Sequence, residues 1–475
     1  MRSRLVAQQY NWAKRDDVTQ NTPPLVAARL LVSKAASFGH KVGPEARCLA
    51  VWDCSVAFYH APLGEDIVVV PPKGLCPEGF VWQLRRAMNG TRKASLAFGS
   101  VVTEELVAMP AAPFAEVVVS PMCFYSKGLD VALLVHGDDF FAEGRAEALL
   151  QVDEYLRSKF RINLVSLAGP RQEKEIKFLK RVITYGPDGW TWTGDPAHRK
   201  QLVDELNFGG AKGAATPGSK ATAANDPHRE DTLTPQRAEK YRSLAGRLLY
   251  HSLDGPRVQF DTGLVMRGMS TPRVLDEARL HRAVRYLAGA PGVDWLFRWQ
   301  GVGEALKLYG LADADHAADD ESRRSVSCSQ EFLGGHLLDQ EVGRQTCVAI
   351  SSGESEFHAL TLCAARLIFA KSLADGFGFP PRGRPDSLLG LLGGEGHCEP
   401  SRRRKAQTSS GQKPLVAEGS GGRAGGGRQD RHAAEHGRLG HQVLGRSAAE
   451  AADWDAAPAR NTAHGHGARH TREEA

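Results

Sequence analysis

The sequence predicts an α+β protein in which antiparallel strands and helices alternate in short runs. Residues 131–142 read VALLVHGDDFFA, two apolar runs joined by a turn, which is typical of a buried hairpin. Residues 147–160 carry apolar side chains at helical spacing, which predicts an amphipathic helix. Residues 209–226 are rich in Gly, Ala, Thr and Pro, a composition that cannot pack a core, so they indicate a boundary between folded segments.

The other elements follow from the same patterns. Short apolar runs bounded by polar or turn residues predict strands, and apolar residues three or four positions apart predict helices. An acidic turn, Gly64–Asp66, separates the first two strands. In chain order we expect strands over Ala50–Phe58 and Ile67–Val70, a helix over Glu104–Met109, helices over Ala238–Leu253 and Glu277–Leu287, and strands over Leu306–Ala314, Phe332–Leu338 and Thr346–Ile350.

A last helix is expected to begin at Ser351 and to end at Gly376, a residue type that favours helix ends. Its apolar residues at helical spacing predict which face packs against the protein. That face is expected to consist of Phe357, Leu360, Ala364 and Leu367.

Two adjacent aspartates, Asp138 and Asp139, lie at the turn of the predicted hairpin, and Asp53 lies in the strand predicted before it. Like charges held side by side destabilise each other unless a cation neutralises them, and Mg²⁺ prefers carboxylate oxygens. Paired metal ions about 3.5–4 Å apart support phosphoryl transfer in polymerases and nucleases. From the dipeptide alone, the alternative is a solvated Gly-Asp-Asp turn.

The three aspartates belong to a longer series of motifs. The strand with Asp53, the basic segment Leu84–Ser95 and the Gly137-Asp138-Asp139 turn follow one another in an order that resembles the reverse transcriptase of copia-type LTR retrotransposons. The resemblance covers roughly residues 1–380, in family order. It extends to Arg2–Ala7, Asp195–His198 with Leu202–Leu206, Tyr241–Tyr250, Leu308–Asp315 and Ser351–Phe357.

This resemblance implies an RNA-directed DNA polymerase fragment that carries out two-metal nucleotidyl transfer. Asp53, Asp138 and Asp139 would hold two Mg²⁺ ions, and the partners would be an RNA template, a DNA primer and deoxynucleoside triphosphates. The alternatives are a non-catalytic retroelement remnant that binds nucleic acid through charge, and the product of an unexpressed pseudogene. Weaker candidates for contacting the incoming nucleotide are Arg4, Asn89 and Arg92.

The same resemblance implies a truncated RNase H-like α/β domain after the polymerase segments. In such domains an aspartate at the end of the first strand and a glutamate on the first helix hold metal ions, which indicates Asp313 and Glu356 as ligands. Glu354 is the alternative candidate for the glutamate ligand because the family motif has a glutamate at both positions. Without the family, acidic residues near a helix start more often interact favourably with the helix dipole.

The net charge is only +5, but the basic residues are unevenly distributed. Two basic clusters are candidates for contacts with phosphates, and solvated surface faces are the alternative. The clusters consist of Arg85, Arg86, Arg92 and Lys93, and of Lys174, Lys177, Lys180 and Arg181.

The eight cysteines are scattered without the spacing of a zinc site, which predicts reduced thiols and no structural zinc. No apolar stretch is expected to approach the ~20 residues that cross a bilayer, and no signal peptide is recognisable. We therefore expect a soluble intracellular protein, in the cytoplasm or the nucleus, that does not interact with membranes.

The composition changes abruptly after Pro380, where Gly, Arg, Ala and His dominate, so residues 381–475 are expected to be disordered. If the reading frame is shifted forward by one nucleotide in this region, the codons are compatible with the amino-acid sequence of the family. We therefore expect a frameshift between about Pro380 and Gly390. It would remove the third RNase H aspartate, and RNase H activity is expected to be lost. The expected segments are fingers and palm at 1–207, a linker at 208–232, a helical connection region at 233–304, the RNase H-like domain at 305–380 and the tail at 381–475.

Overall fold

The computed structural model describes residues 22–37, 45–219, 225–290, 294–301, 307–319, 321–381 and 389–391, with the single residues 6, 7, 9, 222, 292 and 303. The protein is a mixed α/β structure whose sheets are almost entirely antiparallel. This agrees with the class predicted from the sequence.

A six-stranded sheet carries the predicted hairpin in its interior, in the order β4-β5-β6-β7-β1-β8. The strands of the hairpin are buried along nearly their whole length because both faces of the sheet are covered, which explains their continuous apolar runs. The elements of this part are α1 (Leu25–Ser37), β1 (Arg47–Cys54), β2 (Pro62–Val69), β3 (Trp82–Arg86), α2 (Ala94–Val107), β4 (Ala115–Glu116), β5 (Cys123–Ser126), β6 (Val131–His136), β7 (Asp139–Arg145), α3 (Ala146–Lys159) and β8 (Ile162–Ala168).

Helix α3 covers the back of this sheet as its periodicity predicts. Its buried residues include Ala148, Leu149, Val152 and Leu156, all of which lie on the predicted apolar face. The predicted acidic turn at Gly64–Asp66 is instead part of β2, which forms a separate two-stranded hairpin with β3.

A four-stranded sheet in the order β12-β11-β10-β9 combines strands from distant parts of the sequence. Residues Gly189–Thr193 pair with Asp294–Arg298, so a strand that precedes the expected linker shares a sheet with a strand inside the expected connection region. The elements after β8 are β9 (Glu175–Phe178), β10 (Arg181–Gly186), β11 (Gly189–Thr193), α4 (Pro196–Glu205), α5 (Pro235–Ser252), α6 (Gln259–Arg267), α7 (Val274–Gly289) and β12 (Asp294–Arg298).

Helices α5 and α7 confirm the two helices predicted in this region, and they share an apolar core with α4 and α6. Leu244, Leu248 and Leu280 are wholly or almost wholly buried in that core. Burial of such side chains contributes roughly 1.5–3 kcal/mol each, so this packing stabilises the helical segment.

The C-terminal sheet has the order β15-β14-β13-β16, and a long helix packs on it. The predicted strand over Leu306–Ala314 is confirmed from Leu308 onward, and Leu306 lies outside the described residues. The strand predicted over Phe332–Leu338 is wrong because Gly334 and Gly335 form a hairpin turn there. The elements are β13 (Leu308–Asp315), β14 (Val326–Leu333), β15 (His336–Arg344), α8 (Ser352–Gly376) and β16 (Leu389–Leu391).

Two further predictions for this segment are wrong. Residues 346–350 form no strand. The predicted buried face of α8 is only partly correct: Leu367 is buried as expected, but Phe357 is 59% exposed, and Ala359 and Cys363 are buried instead. Helix α8 has apolar residues on all sides, so its hydrophobic pattern does not identify the face that packs on β13 and β14.

Helix α8 also bears on the expectation that no apolar stretch is long enough to cross a membrane. The helix is long and apolar enough by length and composition alone, and a third of its most apolar window is buried in the protein. The core helix of a soluble protein meets the same criterion, so this is weak evidence for a membrane span. The expectation that no stretch of the chain is long and apolar enough to cross a membrane was nevertheless wrong.

Helix α1 lies at the centre of the described structure. Every residue of α1 except Leu25 is buried, and the helix contacts the six-stranded sheet, the β9–β12 sheet, β15 and α8. A helix that is apolar on all sides is buried, and its two charged side chains then need partners. Arg29 pairs with Asp254 at 3.1 Å and with Asp339 at 3.0 Å. Lys34 pairs with the fully buried Glu143 at 3.4 Å.

Of the expected tail, the structure describes only Pro381 and the three residues of β16. The rest of the tail and most of the expected frameshift region lie outside the described residues. The backbone of Leu389–Leu391 pairs in parallel with Gly310–Ala312 of β13. The expectation of disorder from residue 381 onward therefore does not hold for these three residues.

Candidate active site

The three predicted aspartates meet at one end of the six-stranded sheet. Asp53 near the end of β1 lies directly opposite Asp139 at the start of β7. Asp138 lies in the two-residue turn between β6 and β7, and its carbonyl accepts a hydrogen bond of 3.0 Å from the Cys54 backbone N–H. Gly137, the first turn residue, has φ of 68°, as a tight hairpin turn of this kind requires. The local fold therefore fixes all three aspartates close together.

The electrostatics of the site depend on this proximity. Burial, followed by the neighbouring charges of Asp138 and Asp53, raises the pKa of Asp139 from 3.8 to about 6. Among the described residues, no basic side chain pairs with any of the three carboxylates. The described residues thus do not compensate the repulsion, and an oxygen-rich site with excess negative charge suits a divalent cation.

The fit to a metal ion is partial. Within the described part of the chain, no three His, Cys, Asp or Glu side chains stand close enough together to hold a metal ion. The three aspartates provide the oxygen ligands and the negative charge that Mg²⁺ needs, but their carboxylates do not converge on one point.

The predicted nucleotide-binding residues lie partly outside the described residues, because Arg4 is not among them. Asn89 and Arg92 lie in the turn between β3 and α2. The Asn89 carbonyl accepts a hydrogen bond from Ala7 N–H at 2.8 Å, and Arg92 N–H donates to Gln9 at 2.7 Å. These contacts attach Ala7 and Gln9 to the turn.

Gly90 explains why that turn is so close to the N-terminal residues. Its φ is 90°, and a Cβ at this position would lie 1.9 Å from the Ala7 carbonyl oxygen. Only glycine allows both this conformation and this approach. In the described residues, the structure records no hydrogen bond between this turn and the three aspartates.

The two basic clusters differ in their surroundings. In the first, Lys93 pairs with Glu65 at 2.7 Å and Arg86 donates to the His60 carbonyl at 3.0 Å. In the second, Arg181 is buried and pairs with Asp254 at 2.9 Å, so its assignment to a phosphate-contacting surface is wrong. Lys174 and Lys180 are exposed.

Asp313 and Glu356, the two residues predicted as RNase H-like ligands, lie near each other. Asp313 near the end of β13 and Glu356 in the second turn of α8 are close enough for their charges to interact. Burial, followed by the charge of Asp313, raises the pKa of Glu356. One oxygen of Glu356 is buried without a partner among the described residues, which suits a ligand in that position.

Glu354 has a different role from Glu356. Its backbone N–H donates to the Ser351 hydroxyl at 3.1 Å, and its carboxylate accepts from Ile350 N–H at 2.6 Å. These are the reciprocal contacts of a helix N-terminal cap. Glu356 is therefore the glutamate that faces Asp313.

The sequence analysis did not identify Asp254, whose carboxylate is the acceptor for several buried side chains in the interior. Its carboxylate accepts from Arg29, from Arg181 and from the Trp192 indole at 2.9 Å. The Arg29 guanidinium also lies 3.9 Å from the centre of the Trp295 ring. The signal in the sequence is an arginine within the apolar helix LVAARLLVSKAAS, which predicts a buried charge but not its partner.

Known proteins with similar sequences include retroelement polyproteins. The chain is 24% identical over 389 residues to the retrovirus-related Pol polyprotein from transposon TNT 1-94 of Nicotiana tabacum, a match that covers 78% of this chain and 27% of that protein. It is 23% identical over 381 residues to the polyprotein from transposon RE2 of Arabidopsis thaliana, covering 78% and 24%. The chain thus spans about a quarter of the length of these relatives. No protein-family model matches it.

Among solved structures, a foamy viral protease-reverse transcriptase in complex with double-stranded DNA covers 75% of this chain and 51% of that chain at 14% identity. The TM-score of 0.41 is too low to establish a shared fold. The relationship is carried by the sequence matches, each of which covers 78% of this chain. Homologues of the chain are therefore retrovirus-related Pol polyproteins from plant transposons.

Proposed function

We propose that the chain is the RNA-directed DNA polymerase segment of a copia-type retroelement, followed by an RNase H-like segment without activity. The observation that carries this proposal is the meeting of Asp53, Asp138 and Asp139 at the end of two paired strands. Their uncompensated charge is a cost that a structural role does not explain. The substrates would be deoxynucleoside triphosphates added to a DNA primer on an RNA template, in the cytoplasm or the nucleus.

In this proposal each aspartate has a distinct position. Asp53 and Asp139 face each other across β1 and β7 and would hold the reacting groups from opposite sides. Asp138 is fixed by its backbone contact with Cys54, so its carboxylate would approach from the turn. The half-buried surroundings of Asp139 favour a bound cation because they strengthen electrostatic interactions.

These three residues would hold Mg²⁺. When bound, the metal supplies activation of the primer 3′-hydroxyl and stabilisation of charge on the transferred phosphate. The protein positions the carboxylates on a rigid sheet, which limits the reorganisation that nucleotide transfer requires.

Primer extension tests the proposal. The full chain is incubated with Mg²⁺, deoxynucleotides and a DNA primer on an RNA template, in parallel with Asp138→Asn. We expect template-dependent extension by the unaltered chain and its loss in the variant. Asp188→Asn, an exposed aspartate in the turn between β10 and β11, serves as the matched control and should extend like the unaltered chain.

The same experiment distinguishes the remnant hypothesis, which the incomplete convergence of acidic side chains favours. A remnant would bind the primed template through charge, with an affinity that falls steeply as salt rises, and would not extend it. Binding without extension would therefore contradict the polymerase proposal.

A further inference from the structure

A cavity of about 350 Å³ lies between α6 and the strands β14 and β15. Phe260, Met266, Val326 and Val342 give it an apolar lining, and the two guanidinium groups of Arg267 and Arg344 also line it. Volumes of this order are typical of sites for small organic ligands, which are mostly apolar with a few polar groups.

Among the described residues, the two cavity arginines and the one carboxylate with which they pair leave an excess of one positive charge. Arg344 and Arg267 both pair with Asp319, at 2.6 and 3.4 Å. Burial alone would raise the pKa of Asp319, but hydrogen bonds from Arg344 and Ser322 and the charge of Arg267 hold that pKa well below its ordinary value. Asp319 is therefore ionised, and two arginines share one carboxylate.

Neighbouring groups do not remove this excess. The charge of Arg279 lowers the pKa of Arg267 and the charge of Glu321 raises it, so the two effects oppose each other. Glu341, another acid on β15, is paired with Arg366. Within the described part of the chain, these neighbours therefore leave the excess positive charge of the two cavity arginines in place.

Both arginines have hydrogen-bond donors to spare. A guanidinium carries five N–H donors in a planar fork that matches a carboxylate or a phosphate. Within the described structure, Asp319 is the sole recorded ion-pair partner of Arg267 and of Arg344. The unused donors are available to a second anion.

Two glycines leave room for the body of a ligand. A Cβ added at Gly263 of α6 would meet nothing within 4 Å, and one added at Gly343 of β15 would meet only a Glu341 oxygen at 3.9 Å. Both residues line the cavity, so the absence of their side chains widens it.

We propose that this cavity binds a small organic anion, with its carboxylate or phosphate group on Arg267 and Arg344 and its apolar body against Phe260, Met266 and Val326. The site is distinct from both acidic sites described above and does not depend on the proposed polymerase activity. Charge-assisted bonds to arginine supply the preference for an anion, and the apolar lining supplies much of the affinity.

Titration calorimetry of the full chain with three naphthalene probes tests this proposal. The probes are 2-naphthoate, 2-naphthyl phosphate and the neutral 2-naphthalenemethanol. We expect saturable binding at one site, with at least one of the two anions about tenfold or more tighter than the alcohol. The tighter of the two anions identifies the head group that the site prefers.

Variants locate the binding in this cavity. Arg344→Gln should reduce the affinity for the anion to about that of the alcohol, whereas Arg171→Gln, an exposed arginine before β9, should leave it unchanged. Gly263→Leu should fill the cavity and abolish binding of all three probes while the arginines stay in place. If that variant fails to fold, as judged by circular dichroism, Gly343→Val replaces it as the filling variant.

Three results would overturn the proposal. One is equal affinity for the naphthoate, the phosphate and the alcohol. Another is undiminished binding in a folded filling variant. The third is the absence of saturable binding of either anion at millimolar concentration.

Discussion

The Asp139 carboxyl shows how one residue connects the hairpin sequence with the chemistry of the site. Its position opposite Asp53 and beside Asp138 follows from the register of β1, β6 and β7. The adjacent aspartates and their turn were predictable from the sequence. The partner strand of Asp53 was not, because pairing between residues about 90 positions apart depends on the tertiary fold.

The raised pKa of Asp139 predicts how stability depends on pH in the absence of divalent metal. A carboxyl whose folded pKa is raised from 3.8 to about 6 favours the folded state most when protonated, so its contribution to stability falls as pH rises between these values. Asp139→Asn should therefore flatten this part of the curve and raise the melting temperature at neutral pH, with little effect near pH 4.

Thermal unfolding in chelator-treated buffer across this range measures the effect, with Asp188→Asn as the control that keeps the original slope. A slope unchanged by Asp139→Asn would show that the three carboxylates do not interact as the structure indicates.

At the scale of elements, α8 and β13 depend on a close contact that the sequence does not reveal. A Cβ on Gly310 of β13 would lie 2.5 Å from the Cys363 sulfur and 2.9 Å from a Leu367 methyl carbon. The strand was predictable from its alternating pattern. The buried face of α8 was not, because the helix is apolar on all sides.

Gly310→Ala should destabilise the protein by about 1–3 kcal/mol because it overpacks the contact between β13 and α8. The matched control is Gly246→Ala in α5, where an added Cβ would meet nothing within 4 Å. That change should stabilise the protein by roughly 0.5–1 kcal/mol through helix propensity. Urea denaturation measures both, and equal effects of the two substitutions would contradict the packing described for α8.

The ends of β13 and α8 also define what the RNase H-like segment can do. The charges of Asp313 and Glu356 interact, but within the described ranges no third His, Cys, Asp or Glu joins them to hold a metal ion. We therefore expect no Mg²⁺-dependent cleavage of the RNA strand of an RNA–DNA hybrid. A gel assay of labelled hybrid checks this, and cleavage abolished by Glu356→Gln would show that the pair suffices.

At the scale of the molecule, α1 joins segments that the sequence presents as separate. Its Arg29 reaches Asp254 and Asp339, and its Lys34 reaches Glu143 and the Phe377 carbonyl. The sequence predicted most of the helices and strands of these segments. It did not predict their shared interior, because buried ion pairs between distant residues leave no local pattern.

A fragment of residues 1–207 should therefore not fold cooperatively on its own. It lacks β12, which pairs with β11, and it lacks Asp254 and Asp339, which neutralise the buried Arg29. An unpaired buried charge costs about 3–5 kcal/mol, a large part of the stability of a typical domain. We expect the full chain, but not the fragment, to show a cooperative thermal transition by near-ultraviolet circular dichroism. A cooperative transition in the fragment would contradict the role given to α1.

The central claim is that Asp53, Asp138 and Asp139 act together in nucleotide transfer, and single-turnover incorporation of the first nucleotide on a primed RNA template tests it most directly. Asp53→Ala and Asp139→Ala should each slow incorporation by about a hundredfold or more, because the remaining carboxylates no longer place the reacting groups correctly. Both variants should keep the cooperative unfolding of the unaltered chain. Incorporation at an undiminished rate in either folded variant would contradict the account.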